Sequence, residues 1–454
     1  MKVISKNPAT EEVNSEFDTF DRAKIEGVCR ESRAAFKEWR ELDINDRAEY
    51  IMKLALALRA KKDEYARYMT IEMGKPIRQS LAEVEKCAWT AEVYANNAEK
   101  WLADEIVDAG AKESFITPEP LGVILSIMPW NFPFWQALRF GIPALTAGNV
   151  SILRHSNSVP ICAMAIESAF ASAGFPANVF RTIITDHGEV KRLIRSRSIN
   201  GVSLTGSLEA GRSVGSVAGK SVKKFVLELG GSDAFIVLDD ADVGAAAQVA
   251  VEARIVNSGQ SCIAAKRFIV MKGVAEAFTS GLVEAMRSKK VGDPMDMGTD
   301  IGPLANKQQL DNLDAQVKSS VALGAKAECG GVKREGKGYF YEPTVLAGVK
   351  PNMPVAKEEV FGPVAPVIIA KSENDALRIA NNSRFGLGAS VWTEDTERGE
   401  RMARALDVGM AFVNGMVVSD PRFPFGGVKE SGIGRELSRY GMLEFTNIKS
   451  VIIK

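Results

Sequence analysis

Between residues 20 and 100 the apolar positions recur every three or four residues, in stretches such as DRAEYIMKLALALRAKKDEYARYMTIEMG, rich in Ala, Glu, Lys, Arg and Leu. That spacing lays an apolar stripe along a helix. Helices are therefore expected here, broken at Gly74 and Pro76 and resumed from Ile77 through Trp101. After residue 114 the pattern changes. LGVILSIMP is a short continuous apolar run, as in a strand buried on both faces. NFPFWQALRFGIPALTAGN then predicts a turn and a helix, with Pro133 near the helix start. VSILRHS, NVFRTIIT, INGVSLTGS and KKFVLELGG predict further strands. Helices at PICAMAIESAFASAG, stopped at Gly174, and at EAGRSVGSVAG alternate with them. The second half repeats the theme. AFIVLDD precedes a helix through Arg254, and RFIVMKG, APVIIAK, LGASVWT and AFVNG are strands separated by helices. Alternation of this kind implies an α/β fold with doubly wound parallel sheets. The final FTNIKSVIIK, after a helix near RYGMLEF, is a β-branched strand that needs a partner.

Composition narrows the class. The 454 residues suggest two or three domains, and 46% hydrophobic with 25% charged residues fits a globular chain. Lys+Arg and Asp+Glu both number 57, so no basic excess points to nucleic acid or a membrane surface. The uncharged run from Pro120 to Leu138 has the length of a membrane span, but Pro129, Asn131, Pro133 and Gln136 interrupt it and favour a buried core. The N-terminus lacks the apolar core of a signal peptide. Five widely spaced cysteines without CxxC indicate reduced thiols and a cytoplasmic protein. With two histidines and no HExxH, no metal site is expected. A catalytic role for His187, beside Asp186, has little to support it.

Four segments carry candidate chemistry. In NSGQSCIA, Cys262 falls on a turn between helix and strand, where a thiol is either a nucleophile or a small buried hydrophobe. In LELGGSDAF, Glu228 lies in an apolar strand, where burial raises a carboxyl toward neutrality and suits a general base; a structural ion pair is the plain alternative. In MPWNFPFW, Asn131 is either an oxyanion donor or a helix cap. In VSLTGSLEAG, Gly206 and Ser207 place free amides at a helix start, a weak phosphate signal without GxGxxG.

Taken together, PWNFP, TGS, ELGG, GQSC, EEVFGPV (358–364) and PFGGVKESGIGRE (425–436) resemble, in order and spacing, the NAD(P)-dependent aldehyde dehydrogenase superfamily over nearly the whole chain. The chain is most like its shorter succinate semialdehyde dehydrogenase group. The resemblance implies a variant Rossmann cofactor domain (1–97 and 121–230), an α/β catalytic domain (231–436) and a β-hairpin oligomerisation extension (98–120 and 437–454) in a homodimer or homotetramer.

It also implies roles. Cys262 is the nucleophile, the Asn131 amide and the Cys262 backbone N–H hold the oxyanion, Glu228 activates the deacylating water and Glu436 helps relay protons. Retention of Glu228 favours a free acid as product over an acyl-coenzyme A. The cofactor, NAD or NADP, is expected at Met128, Trp130, Arg154, Asn157, Gly206, Ser207, Glu359 and Phe361. Neutral Asn157, where strictly NAD-using members often carry glutamate, should permit NADP. Arg139, eight residues after Asn131, is expected to pair with a distal carboxylate of the aldehyde, with Ser419 and Arg422 assisting. Two departures stand out: Phe140 replaces a frequent lysine, and Val256 stands where some succinate semialdehyde enzymes carry a second arginine. Chain-length selectivity is therefore expected to be loose enough to leave glutarate semialdehyde, or a broad range of aldehydes, as the alternative. Intact Glu359 and Phe361 argue against a cysteine acyl-transferase or hydrolase that uses no dinucleotide. Intact Cys262, Glu228 and Asn131 argue against a purely structural protein.

Overall fold

The computed structural model describes residues 2–454; residue 1, where the expected cofactor domain begins, lies outside them. The expected helical region is four helices, Arg22–Trp39, Ile44–Ala60, Lys62–Met73 and Ile77–Leu102. Gly74, at φ +79°, ends the third as anticipated. The breaks near residues 40–43 and 61 lack a Gly–Pro signal; Asp43 caps the second helix by accepting from the Asn45 N–H. A hairpin of Lys2–Lys6 and Val13–Asp18, not foreseen, precedes them.

Two sheets organise the rest. The first has six strands in the order Gly432–Ile433, Lys224–Glu228, Gly201–Thr205, Val123–Met128, Val150–His155, Phe180–Thr182, all parallel but the first. Strand order reverses between Val123–Met128 and Gly201–Thr205, which opens a crevice beyond their carboxyl ends. The second has seven strands, in the order Lys326–Cys329, Thr344–Ala347, Val364–Ala370, Ala265–Met271, Asp233–Val237, Gly388–Trp392, Met410–Val413. Only its first pair is antiparallel. Side-chain alternation divides the core across it: Phe235 and Val237 pack on one face, Ile236 on the other.

The terminal strand finds its partner within the chain. Thr446–Ile453 pairs antiparallel with Glu113–Pro120, which also pairs with Glu105–Ile106. The helix before this small sheet runs on to Leu102, so its strands start later than residue 98. Its outer positions Ile106, Ile448 and Ile452 are exposed.

The N-terminal helices brace the first sheet. Trp39 Nε1 donates to the Leu145 carbonyl at 3.0 Å, and Arg47 Nε to that of Thr146 at 3.0 Å. Helices Pro133–Thr146 and Pro160–Ser172 have no cap of their own. Buried carboxylates from the bracing helices take that place. Glu83 accepts from the N–H groups of Phe134 (3.0 Å) and Trp135 (2.9 Å), and Glu72 from those of Ile161 and Cys162 (both 2.9 Å). Lys75 pairs with Glu83, while burial pushes Glu72 up to about 7. Helix Leu208–Lys220, in contrast, is capped by its own Ser207. Among the described residues no helix is long and apolar enough to cross a membrane.

Candidate active site

Helix Val243–Ile255 ends in a tight turn, Val256–Gly259, that delivers Cys262. Asn257, Ser258 and Gly259 are all left-handed, at φ +53°, +56° and +79°. The first two cost roughly 1–3 kcal/mol each, so neighbouring bonds must hold them. Asn257 Nδ2 donates to the carbonyls of Asn131 (2.6 Å) and Gln260 (3.1 Å), and Ser258 Oγ accepts from the Gly302 N–H at 2.9 Å. At Gly259 a methyl group would fall 2.2 Å from the Gly362 carbonyl oxygen, so only glycine fits. Beyond the turn, fully buried Lys266 donates to the carbonyls of Ser261 (2.8 Å), Cys262 (2.7 Å) and Ala264 (3.3 Å). Its ammonium also lies 3.7 Å from Glu359.

Two cavities meet at Cys262. One, of about 560 Å³, runs between helices Ile77–Leu102 and Pro133–Thr146, the turn that carries Cys262 and residues 416–419. The other, of about 220 Å³, lies in the crevice of the first sheet, bordered by Pro129–Asn131, Thr205–Ser207, Glu359 and Phe361. Cys262 and Gln136 line both. Burial pushes the thiol up to about 12, against the opposing pull of the Arg139 and Lys266 cations.

Asn131 reaches this junction with one amide hydrogen engaged, Nδ2 donating to the Gln260 carbonyl at 3.1 Å. The second hydrogen is available to another oxygen. Glu228 ends its strand 2% exposed, and neither carboxylate oxygen has a hydrogen-bond partner. Burial, and then the charge of Glu436, hold it well above the usual carboxylate range; Arg139 and Arg435 oppose them. It lines neither cavity. Glu436 is buried beside it, raised by burial and opposed chiefly by Arg139, with Ser203 Oγ at 3.4 Å.

Arg139 lines the larger cavity, but its charge is not free. Nε lies 2.5 Å from Glu436 Oε2, Nη2 donates to Thr205 Oγ1 at 3.3 Å, and the guanidinium stacks 4.3 Å from the Phe425 ring centre. The expected clamp is thus already an ion pair within the wall, because a buried guanidinium needs a partner. Ser419 lines the same cavity. Arg422 does not: it is exposed and bonded to Asp420 two residues away, with Nη2–Oδ2 at 2.6 Å.

In the crevice, Phe361 stands edge-on to Trp130 at 6.1 Å. Glu359 accepts from the Gly231 N–H at 2.9 Å, and Met128 ends its strand by accepting from the Ser156 N–H at 2.8 Å. Arg154 is 5% exposed and tied to the Thr185 carbonyl (3.1 Å) and Asn157 Oδ1 (3.4 Å), so it braces this rim more than it reaches out. Gly206, where a methyl group would meet only ordinary contacts at 3.7 Å, and the Ser207-capped helix start fit the pyrophosphate of a dinucleotide laid along the sheet edge, while Met128, Arg154 and exposed Asn157 lie outside the crevice lining. Lys266, Asn257 and Lys86 are site residues not singled out from sequence. For Lys266 the one signal is a lysine inside the apolar strand AAKRFIVM.

The pattern of the Aldehyde dehydrogenase family matches residues 1–451. The chain belongs to that family. Among aldehyde dehydrogenase relatives, a probable succinate-semialdehyde dehydrogenase [NADP(+)] of Synechocystis sp. is 47% identical over 453 residues, covering 100% of both chains. Succinate-semialdehyde dehydrogenase [NADP(+)] 1 of Mycobacterium tuberculosis is 44% identical over 456 residues, again covering 100% of both. The crystal structure of succinic semialdehyde dehydrogenase from Streptococcus pyogenes with NADP+ superimposes with a TM-score of 0.97 at 35% identity, covering 99% of each chain. The aldehyde dehydrogenase-like fold expected from the motifs is the one observed.

Proposed function

We propose that this aldehyde dehydrogenase oxidises succinate semialdehyde to succinate with NADP, NAD being the secondary acceptor. The carrying observation is the position of Cys262 at the junction of a cation-lined cavity and a crevice suited to a dinucleotide. The names of full-length relatives at 44–47% identity support the substrate and NADP. No comparable support exists for glutarate semialdehyde or a broad aldehyde range.

In this reading the Cys262 sulfur bonds to the aldehyde carbon. Its ionisation is favoured by Arg139 and Lys266, the two cations that already pull its thiol down. The second Asn131 hydrogen and the Cys262 backbone N–H hold the alkoxide of the thiohemiacetal. The nicotinamide, when bound, supplies the acceptor for the hydride. Glu359 and Phe361 hold its ribose and ring, and Gly206 and Ser207 hold the pyrophosphate; Met128, Trp130, Arg154 and Asn157 complete the cofactor surface. The cysteine thioester is then hydrolysed by water that Glu228 activates. Glu436 takes up the proton within the Arg139 pair. Arg139 and Ser419 line the larger cavity, in which the carboxylate would lie.

The five cysteines are not bridged to one another, which supports a cytoplasmic location. The exposed apolar face of the three-stranded sheet supports a homodimer or homotetramer. The three-part division into cofactor, catalytic and oligomerisation segments is retained on the same basis.

The test is the initial rate of NADPH and NADH formation with succinate semialdehyde, glutarate semialdehyde, butanal and a short amino aldehyde. A kcat/KM preference for succinate semialdehyde over butanal of ~10²-fold, about 2.7 kcal/mol, is expected. A flat profile refutes the substrate assignment.

A further inference from the structure

Four cations line the larger cavity: Arg78, Lys86, Arg139 and Lys289. Arg78 is paired with Asp300 at 3.2 Å, and Arg139 with Glu436 at 2.5 Å. Lys289 makes no side-chain hydrogen bond to the wall. Lys86 differs from all three. Its Nζ donates to Ser419 Oγ at 2.6 Å and sits 4.4 Å from the centre of the Trp135 ring. It is thus fixed by two neutral groups and makes no salt bridge, although the carboxylates of Glu83 and Asp420 act on it from a distance.

We propose that Lys86 is the ion partner of the substrate's distal carboxylate, acting with the Ser419 hydroxyl as a two-donor clamp. This rests on the ω-carboxy aldehyde reading above and adds a specificity-determining residue to it. The ammonium has three hydrogens. Ser419 takes one and the ring face attracts another, so the third is free for a carboxylate oxygen. Ser419 Oγ accepts from Lys86 and still has its own hydrogen to donate, so both donors can serve the same carboxylate. Lys86 stands on helix Ile77–Leu102, Trp135 on helix Pro133–Thr146 and Ser419 on the loop after strand Met410–Val413, and the three meet without a ligand.

The surroundings make the clamp pH-dependent. Burial lowers the Lys86 ammonium to about 8. Cys87 and Glu83 on its own helix and Asp420 from the facing loop oppose that shift, and Arg139 from the neighbouring helix adds to it. The charged form is required, so discrimination for the carboxylate substrate is held below pH 8 and falls above it. Cys262, Glu228 and Glu436 act on any aldehyde, so their titrations cancel in a ratio between two substrates.

The experiment measures kcat/KM for succinate semialdehyde and butanal with saturating NADP, from pH 6.5 to 10, for wild type, Lys86→Met and Lys86→Arg. The expected succinate semialdehyde/butanal ratio falls about 100-fold in Lys86→Met, as for loss of a charge-assisted bond to a buried carboxylate. In wild type it falls above pH 8. In Lys86→Arg it stays within about 10-fold of wild type and is flat to pH 10, because a guanidinium does not titrate there. A wild-type preference that survives Lys86→Met overturns the clamp alone. If Lys86→Met fails to fold, a ratio in Lys86→Arg with the same decline above pH 8 as wild type does so. A wild-type ratio near one overturns both the clamp and the substrate reading.

Discussion

The two cavities that meet at Cys262 are built by different means. The crevice is made of strand ends and turns: Pro129, Thr205, Gly206, Leu229 and Gly230 stand where parallel strands stop. Its shape follows from sheet topology, and side chains such as Phe361 and Glu359 trim it. The larger cavity is made of side chains from helices and loops, among them Lys86, Trp135, Gln136, Val256 and Ser419. Helix faces tolerate exchange of one side chain without moving the backbone, whereas strand ends do not. Cofactor geometry is therefore the fixed half of this site, and aldehyde choice the adjustable half.

The strongest way to separate the halves is at their junction. Cys262→Ala should lower kcat/KM about 10⁴-fold or more, as expected for loss of a covalent nucleophile. NADP affinity by fluorescence titration should stay within about 3-fold. A parallel loss of affinity would show that the two cavities are one energetic unit.

A second probe is His155, at the end of strand Val150–His155. His155 Nε2–H donates to the Pro133 carbonyl at 2.9 Å, and Nδ1 accepts from the Ser156 N–H at 2.8 Å. The ring thus ties the start of helix Pro133–Thr146 to the chain just after strand Val150–His155. Burial depresses it to about 4 from an ordinary 6.5, and protonating Nδ1 would break the Ser156 bond. Folding favours the neutral ring, so its contribution is present above pH 6.5 and is lost as pH falls toward 4. By pH 5 that amounts to about 2 kcal/mol. Urea midpoints at pH 7.5 and 5 should fall further for wild type than for His155→Gln. Equal declines would remove His155 as the acid-sensitive link.

The smallest effect belongs to the crevice rim. Asn157→Glu should lower the NADP/NAD ratio of kcat/KM about 10-fold, from one carboxylate facing a 2′-phosphate in a solvent-open place. An unchanged ratio would move cofactor choice away from residue 157.

What the sequence disclosed follows the same division. Apolar runs marked most strands of both sheets, and LGVILSIMP, INGVSLTGS and KKFVLELGG pair as parallel neighbours; the short strands Lys326–Cys329, Thr344–Ala347 and Gly432–Ile433 were not marked, being too brief or too polar to stand out. Cys262, Asn131, Gly206 and Ser207 lie on turns between such runs, where local pattern and chemistry coincide. The pairing of Arg139 with Glu436 was not legible, because 297 positions separate two groups joined only by folding. Nor was Lys86, which looks like an ordinary charged position of an amphipathic helix until Ser419, 333 positions on, closes over it. Arg422 looked suitable by position, but Asp420 two residues earlier is a nearer partner than any substrate.

Glu72 and Glu83 bear on a different matter, the traffic of small anions in a cell rich in phosphorylated metabolites. Helices Pro133–Thr146, Pro160–Ser172 and Leu208–Lys220 each follow a strand of the first sheet and begin along the same edge of it. The first two already carry a resident carboxylate on their leading amides. A stray phosphate arriving there meets a carboxyl group already in place and no unbonded N–H at those positions. Only the helix capped by Ser207 greets an anion without such a tenant. Selectivity at this edge is decided by which doorways are shut as much as by the one left ajar, and the shutters belong to the N-terminal helices, outside the sheet they guard.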